Sequence, residues 1–527
     1  MIQLLINGRF YTDIPGGVSC QAIAICNEKI IATGTTAEIL SLFQRGTPTV
    51  DLNGATVLPG LVDSHIHFQL YAESLGKVNC ETPSLADCLA AVNARALETA
   101  VDGWVLGHGW NQNTWDGCFG TRQQLDAVAE GHPVYLTAKS LHAAWCNSRA
   151  LTLAGISRRT PDPSGGKIQR DESGEPTGIL FESAMALVES SIAPQTSIER
   201  IKVFKQAQSQ LNRSGITGIH DFDGLDCFAG FSGLLAEHEL NLRVVKNIPR
   251  NHLAAVKEMR LEGGFGHPML RVGSLKLFSD GALGPQTAAM LSPYAGSSDR
   301  GTLLLDEDEI YSIGTAAAAV NLPLAVHAIG DLAVRTTLRG LNRVIQKQKT
   351  NRKLLKPYRV EHLQLIAPED LPLLAGSGIT ASMQPYHLIS DQPTAEKYWG
   401  DRNITSYAWN SVVKTGVNLA FGSDAPVETP DPWAGILAAV TRRPAGYPQP
   451  EGWFPSERLN IRQAFYAYTG GPAKAAGMQA ETGCIKPGMY ADLAFFAADP
   501  ITHPESILPG METLATMVAG EWVWKGF

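Results

Sequence analysis

The chain has 527 residues, of which 44% are apolar and 18% charged, and its 43 Lys and Arg against 51 Asp and Glu leave a net charge of −8. That composition fits a well-packed globular protein and excludes a disordered one. Without a long basic run, nucleic acid and membrane surfaces are excluded as expected partners, and a small-molecule substrate is the expectation.

The eight cysteines (20, 26, 80, 88, 118, 146, 227 and 484) are scattered, with no C-x-x-C pair. This is the pattern of free thiols in a reducing compartment, not of a disulfide frame or a structural zinc knot. The opening MIQLLINGRFYTD lacks a basic n-region, a long apolar stretch and a small-residue cleavage site, so no secretory signal is expected. No apolar run is long enough to span a bilayer. The expected location is cytoplasmic.

Residues 1–55 read as short alternating strands broken by Gly, Asn and Pro (IQLLINGRFYT, AIAICNEKIIATG). DLAFFAADP and LATMVAGEWVWKG, within 455–527, repeat that style after a helical segment. The two ends are expected to pair into one small β-sandwich. Between them lie eight β-type segments, at 56–68, 215–222, 242–249, 270–281, 322–331, 358–365, 379–387 and 417–427, most followed by a helix-like stretch. Such alternation predicts an α/β fold, a (β/α)8 TIM barrel spanning 56–68 and 215–454. A doubly wound open sheet is the competing architecture, but no G-x-G-x-x-G turn follows a strand. The stretch 69–214 is too long for a connecting loop and carries its own helical and extended pieces. It reads as an inserted α+β cap subdomain after the first barrel strand, expected over the active face.

Polar residues stand where barrel strands should be apolar. His65 and His67 end the first strand, Lys276 lies in the fourth, His327 in the fifth, His362 in the sixth and Asp424 in the eighth. C-terminal strand ends of a barrel converge on one mouth, where chemistry resides. Singly, each residue has an ordinary reading: a satisfied core histidine, a turn-capping aspartate, a solvated lysine. Together, that much polarity is costly to bury unpaired, and a divalent metal site compensates it. Six donors exceed the usual three protein ligands of one catalytic zinc and suit two ions with an anionic bridge. A lysine beside two dications is pushed toward its neutral amine, and a neutral amine can add carbon dioxide to become a bridging carbamate, the expectation for Lys276.

LPGLVDSHIHF, KLFSDGALG, VHAIGD, EHLQL and GSDAPV, with GHGWNQNTW, SLHAAWCNSRAL and GEPTGIL, resemble the amidohydrolase superfamily. The likeness is narrowest to its amidohydrolase 3, or YtcJ-like, branch, which includes N-substituted formamide deformylase. The resemblance implies a metal-dependent hydrolase of a non-peptide carbon–nitrogen bond. His65, His67 and Asp424 would bind one metal, His327 and His362 the other, and carboxylated Lys276 would bridge them. Zinc is the expected ion, with iron, manganese and nickel able to take the same donors. Asp424 is the expected catalytic residue, taking a proton from water and passing it to the leaving nitrogen.

His142, Trp110 and Asn111 in the insertion are candidates for substrate binding, with Trp115 beside them, although core packing competes for each tryptophan. Asp280 and Asp331 either orient ligands or cap helices. His220 is not expected to bind metal, nor is Cys80, since Lys276 already supplies a bridge. A lactone, ester or cyclic-amide hydrolase and a non-catalytic metal-binding barrel are the alternatives, and a homodimer is compatible with either.

Overall fold

Apolar segments pair side by side, in parallel, in the computed structural model, which describes residues 2–526 apart from 15, 116, 194, 350–356, 445 and 503–507. The strands are β1 (Leu61–Ile66), β2 (Ile216–Asp221), β3 (Arg243–Pro249), β4 (Leu270–Phe278), β5 (Leu324–Ala328), β6 (Arg359–His362), β7 (Thr380–Met383) and β8 (Asn418–Phe421). Each pairs in parallel with the next. Sequences such as NLAF in β8 are buried throughout, as a parallel sheet covered on both faces requires.

The sheet curls until its ends meet. Asp424 N donates to His65 O at 2.7 Å, and His67 N donates to Ala425 O at 2.9 Å, tying the segment after β8 to the end of β1. Gly422 permits this approach: a Cβ there would lie 2.3 Å from His65 N and 2.7 Å from Asp63 Oδ1. Asp63 completes the seam, accepting from Ser423 N at 3.0 Å, Ser423 Oγ at 2.5 Å and His65 N at 3.1 Å. The result is a nearly closed α/β barrel of the TIM type.

Helices alternate with most strands. Glu307–Ala318, before β5, starts on an Asp306–Glu309 capping box, which satisfies backbone N–H groups that the first turn leaves free. After β6 there is only the 3₁₀ segment Pro368–Leu373; Pro372 has no N–H to continue a helix.

One compact unit comprises residues 1–68 and 205–527, and a second comprises Gln69–Phe204. The first also contains two sheets built from the chain's ends. In one, Thr56–Pro59 pairs antiparallel with Leu493–Phe496, so strands from both ends share six places. The other, of four strands, joins Ile2–Ile6, Ala22–Cys26, Lys29–Gly34 and Thr49–Asp51. Leu5, Ile23, Ile25, Phe10, Val57, Phe495 and Met517 form one core between them. The second unit is a mixed sheet of six strands whose core holds Trp110, Trp115 and Trp145. Among the described residues no helix is long and apolar enough to cross a membrane.

Candidate metal centre

The first donor pair comes from strand period. His65 and His67 are two residues apart at the end of β1, so both rings turn to the same side. His65 Nε2 lies 3.4 Å and His67 Nε2 3.5 Å from Asp424 Oδ1, and ligand atoms of the three lie within 4.8 Å of one another. Asp424 reaches this point from a left-handed backbone, φ 62°, which aspartate tolerates better than most residues. The rings of His362 and His65 are 5.0 Å apart, and those of His327 and His362 4.4 Å. His362 and Leu363 are consecutive left-handed residues, φ 70° and 46°, a strained turn of the kind that gathers at functional sites.

Lys276, on β4, is buried, and its Nζ lies 4.6 Å from the centre of the Phe222 ring and 4.7 Å from that of Phe278. Among the described residues no hydrogen bond to that amine is present. Burial pushes its pKa down to about 8, against the pull of Glu361 and Asp424.

The far side of each ring sets its tautomer. His65 Nδ1–H donates to Glu361 Oε2 at 2.7 Å, and His67 Nδ1–H donates to Asp223 Oδ1 at 3.0 Å. A carboxylate only accepts, so each neutral ring presents an Nε2 lone pair to Asp424. His327 Nε2–H donates to Gly281 O at 2.8 Å, leaving Nδ1 as its lone pair. Burial, with Lys276 nearby, holds His65 down to about 4 and His327 down to about 3. Burial and His327 hold His362 well below the usual range. His67 is raised: burial opposes its charge, but Asp223 and Asp424 outweigh that. Asp424 lies well below the usual carboxylate range despite burial, because His65, His387 and the other imidazoles surround it.

These groups fit a divalent ion. His65 Nε2 is completely buried and has no hydrogen-bond partner, and neither has His362 Nδ1. Such atoms are costly unless something fills the space between them. Two ligands about 2.0–2.1 Å from one tetrahedral ion stand about 3.3–3.4 Å apart, close to the separations from Asp424 Oδ1 to the two Nε2 atoms.

Glu361, Arg359, Asp223, Asp63 and His387 carry the site and were not singled out in the sequence. Arg359 crosses the barrel interior, donating to Glu361 Oε1 at 2.8 Å, His220 Nδ1 at 2.7 Å, Ser64 O at 2.7 Å and Ser382 Oγ at 2.9 Å. Its guanidinium keeps buried Glu361 ionised, overcoming the desolvation that opposes its charge. His387, just inside the helix Pro385–Trp399, brings Nε2 to 3.4 Å from Asp424 Oδ2, and its Nδ1 meets Gln364 Nε2 at 3.2 Å. The strand-end rule that selects His362 also selects His387 in SMQPYH. Glu361 had a signal in EH, a carboxylate beside a candidate ligand.

The remaining candidates lie elsewhere. His220 is held by Arg359 and points to no ligand. Asp280 accepts from Ala289, Ile329 and Gly330 N–H groups at 2.9, 3.1 and 2.9 Å, fixing the turn after β5; burial raises its pKa to about 7. Asp331 accepts from Leu291 N at 2.8 Å. In the second unit Trp110 is a core residue, 1% exposed, with Nε1–H donating to Leu136 O at 2.8 Å. It therefore offers no open wall, because its indole fills that unit's own core. Trp115 joins the same core, and Asn111 is half-buried on the following turn. His142 is half-exposed, with Nδ1 3.0 Å from Glu182. Cys80 is buried in that unit's core.

A parallel barrel whose strand ends gather imidazoles around one ionised carboxylate defines a metal-dependent hydrolase. The sequence profile of the amidohydrolase family (Amidohydro_3) matches residues 48–524, and the chain belongs to that family. It is 31% identical to the putative amidohydrolase YtcJ of Bacillus subtilis over 98% of each chain. To the N-substituted formamide deformylase of Arthrobacter pascens it is 26% identical, over 98% of this chain and 97% of that one. The crystal structure of an uncharacterized metal-dependent hydrolase from Pyrococcus horikoshii superposes with a TM-score of 0.80 at 27% identity, covering 96% of this chain and 99% of that one.

Proposed function

We propose that the protein hydrolyses a non-peptide carbon–nitrogen bond, an amide or N-substituted formamide, of a small molecule. The observation that carries the reading is the convergence of His65 Nε2, His67 Nε2 and Asp424 Oδ1 within 4.8 Å of one another, with the buried His65 Nε2 lacking a hydrogen-bond partner. The deformylase relative's name supports the bond type. His65, His67 and Asp424 would hold one divalent ion, zinc being the best match to imidazole and carboxylate donors, and His327 and His362 a second. Divalent ions there supply Lewis acidity toward a carbonyl and lower the pKa of water.

The chain's own groups do the rest. Asp424 is ionised, so a carboxylate oxygen accepts the proton of the attacking water and returns it to the departing nitrogen. His387 faces the Oδ2 side of that carboxylate, its Nε2 3.4 Å away. Lys276, once carboxylated, would add an anionic oxygen donor to these two sets of ligands. Its Nζ lone pair bonds to the carbon of carbon dioxide, one C=O pair moves onto oxygen, and the nitrogen loses a proton to solvent. A buried amine without a hydrogen bond, beside an exposed strand end, favours that addition.

The test is metal analysis of the purified protein with a panel of small amides and formamides. About two equivalents of metal per chain and metal-dependent amide turnover are expected. Metal without turnover of any amide would overturn the reading.

A further inference from the structure

Beside the candidate ligands on β4 and β5 stands an exposed aromatic ring. Lys276 and Phe278 are two residues apart on β4 and share a face. The Phe278 ring centre lies 4.7 Å from Lys276 Nζ and 5.2 Å from the His327 ring. Phe222, on the other side of the amine, is buried and stacks on His65 with ring centres 4.0 Å apart. Phe278, by contrast, is 49% exposed. Leu304, whose N–H donates to Ser279 O at 2.8 Å, is exposed beside the residue that follows Phe278, and Leu303 before it is exposed too. An exposed aromatic alone is ordinary. One that packs beside two candidate ligands, with exposed leucines on the segment bonded to the same strand end, is not, because water on such a surface gains no hydrogen bond. A charged or strongly hydrated substituent gains nothing there, whereas an apolar one leaves water.

We propose that Phe278 is a specificity-determining wall, and that the substrate is an amide carrying a bulky apolar group that lies against it. The inference rests on the amidohydrolase reading and adds the substrate's second half. Its geometry leaves the acyl and amine sides of the scissile bond as two arms of one test.

The experiment compares wild type, Phe278→Ala and Phe278→Leu, each reloaded with metal, on N-methylformamide, N-cyclohexylformamide and N-methylcyclohexanecarboxamide. Binding of acetohydroxamic and cyclohexanecarbohydroxamic acid is measured alongside by calorimetry. In wild type the bulky member of at least one arm has the higher kcat/KM and the cyclohexyl hydroxamate binds more tightly. Phe278→Ala loses roughly tenfold to a hundredfold of that preference through KM. Phe278→Leu loses less, and metal content is measured in both so that a change in ion occupancy is separated from a change in preference. A preference identical in wild type and Phe278→Ala, in kinetics and hydroxamate binding alike, overturns the wall and leaves the hydrolase reading standing. No amide turnover by wild type overturns the hydrolase reading and this inference with it.

Discussion

Glu361 Oε2 accepts the Nδ1 proton of His65 at 2.7 Å, across 296 positions of sequence and from the strand next to that of His327. Glu361 is itself gripped by Arg359. A carboxylate behind an imidazole fixes its tautomer and raises its basicity as a ligand. Asp223 stands in the same relation to His67, and His387 faces the outer oxygen of Asp424. Each of the three gathered residues is thus held by a partner from another part of the barrel.

Replacing Glu361 by Gln keeps the side chain's shape and removes its charge. Metal affinity should fall by about 10–100-fold, measured by competition with a chromophoric chelator. Thermal stability should fall too, because Arg359 is left buried without its counter-charge. An affinity equal to wild type would remove Glu361 from this role.

Removing metal should leave His65, His67 and Asp424 facing one another without compensation. Dialysis against a chelator is expected to abolish turnover and lower the melting temperature, and added zinc to restore both. At a free metal concentration a hundred times its dissociation constant, the stabilisation is about 2.7 kcal/mol. Identical melting curves with and without metal would contradict the site.

Lys276→Ala should lose activity and regain part of it when a short-chain carboxylate such as propionate is added to take the bridging place. Full activity in the unsupplemented variant would exclude a bridge.

Asp424→Asn keeps an oxygen facing His65 and His67 but cannot take a proton. Turnover is expected to drop by about 10²–10⁴-fold, the span of general acid–base catalysis, while much of the metal stays bound. Steady-state kinetics paired with metal analysis tests this, and a fully active variant would end the proton-transfer role.

Gly422→Ala tests the barrel's seam. Its new methyl would lie 2.3 Å from the backbone nitrogen of His65, so β1 and β8 must part. The expected loss is about 1–3 kcal/mol or more in urea unfolding, with weakened metal binding. An unchanged midpoint would mean the seam has room to relax.

The eight strands were legible because each is a short apolar run closed by turn residues, and the polar residues at their ends stood out against that background. The partners were not. Glu361 and His362 are adjacent, and strand alternation alone would send them to opposite sides; the left-handed turn at His362 lets both meet His65, on a strand nearly three hundred positions earlier. Asp223 and Arg359 read as ordinary charged residues until the barrel curls. Trp110 errs in the other direction. An aromatic in a motif offers both a substrate wall and core packing, and the packing of the second unit shows the indole enclosed in a core.

By itself, then, the order of residues determined the kind of element each segment forms and which strand ends carry donors, since hydrophobic periodicity and side-chain chemistry act locally. The tertiary structure alone decided which carboxylate faces which imidazole, and so which ring nitrogen is left with a lone pair. That choice depends on distances between strands far apart in the chain, and those distances exist only once the sheet has closed.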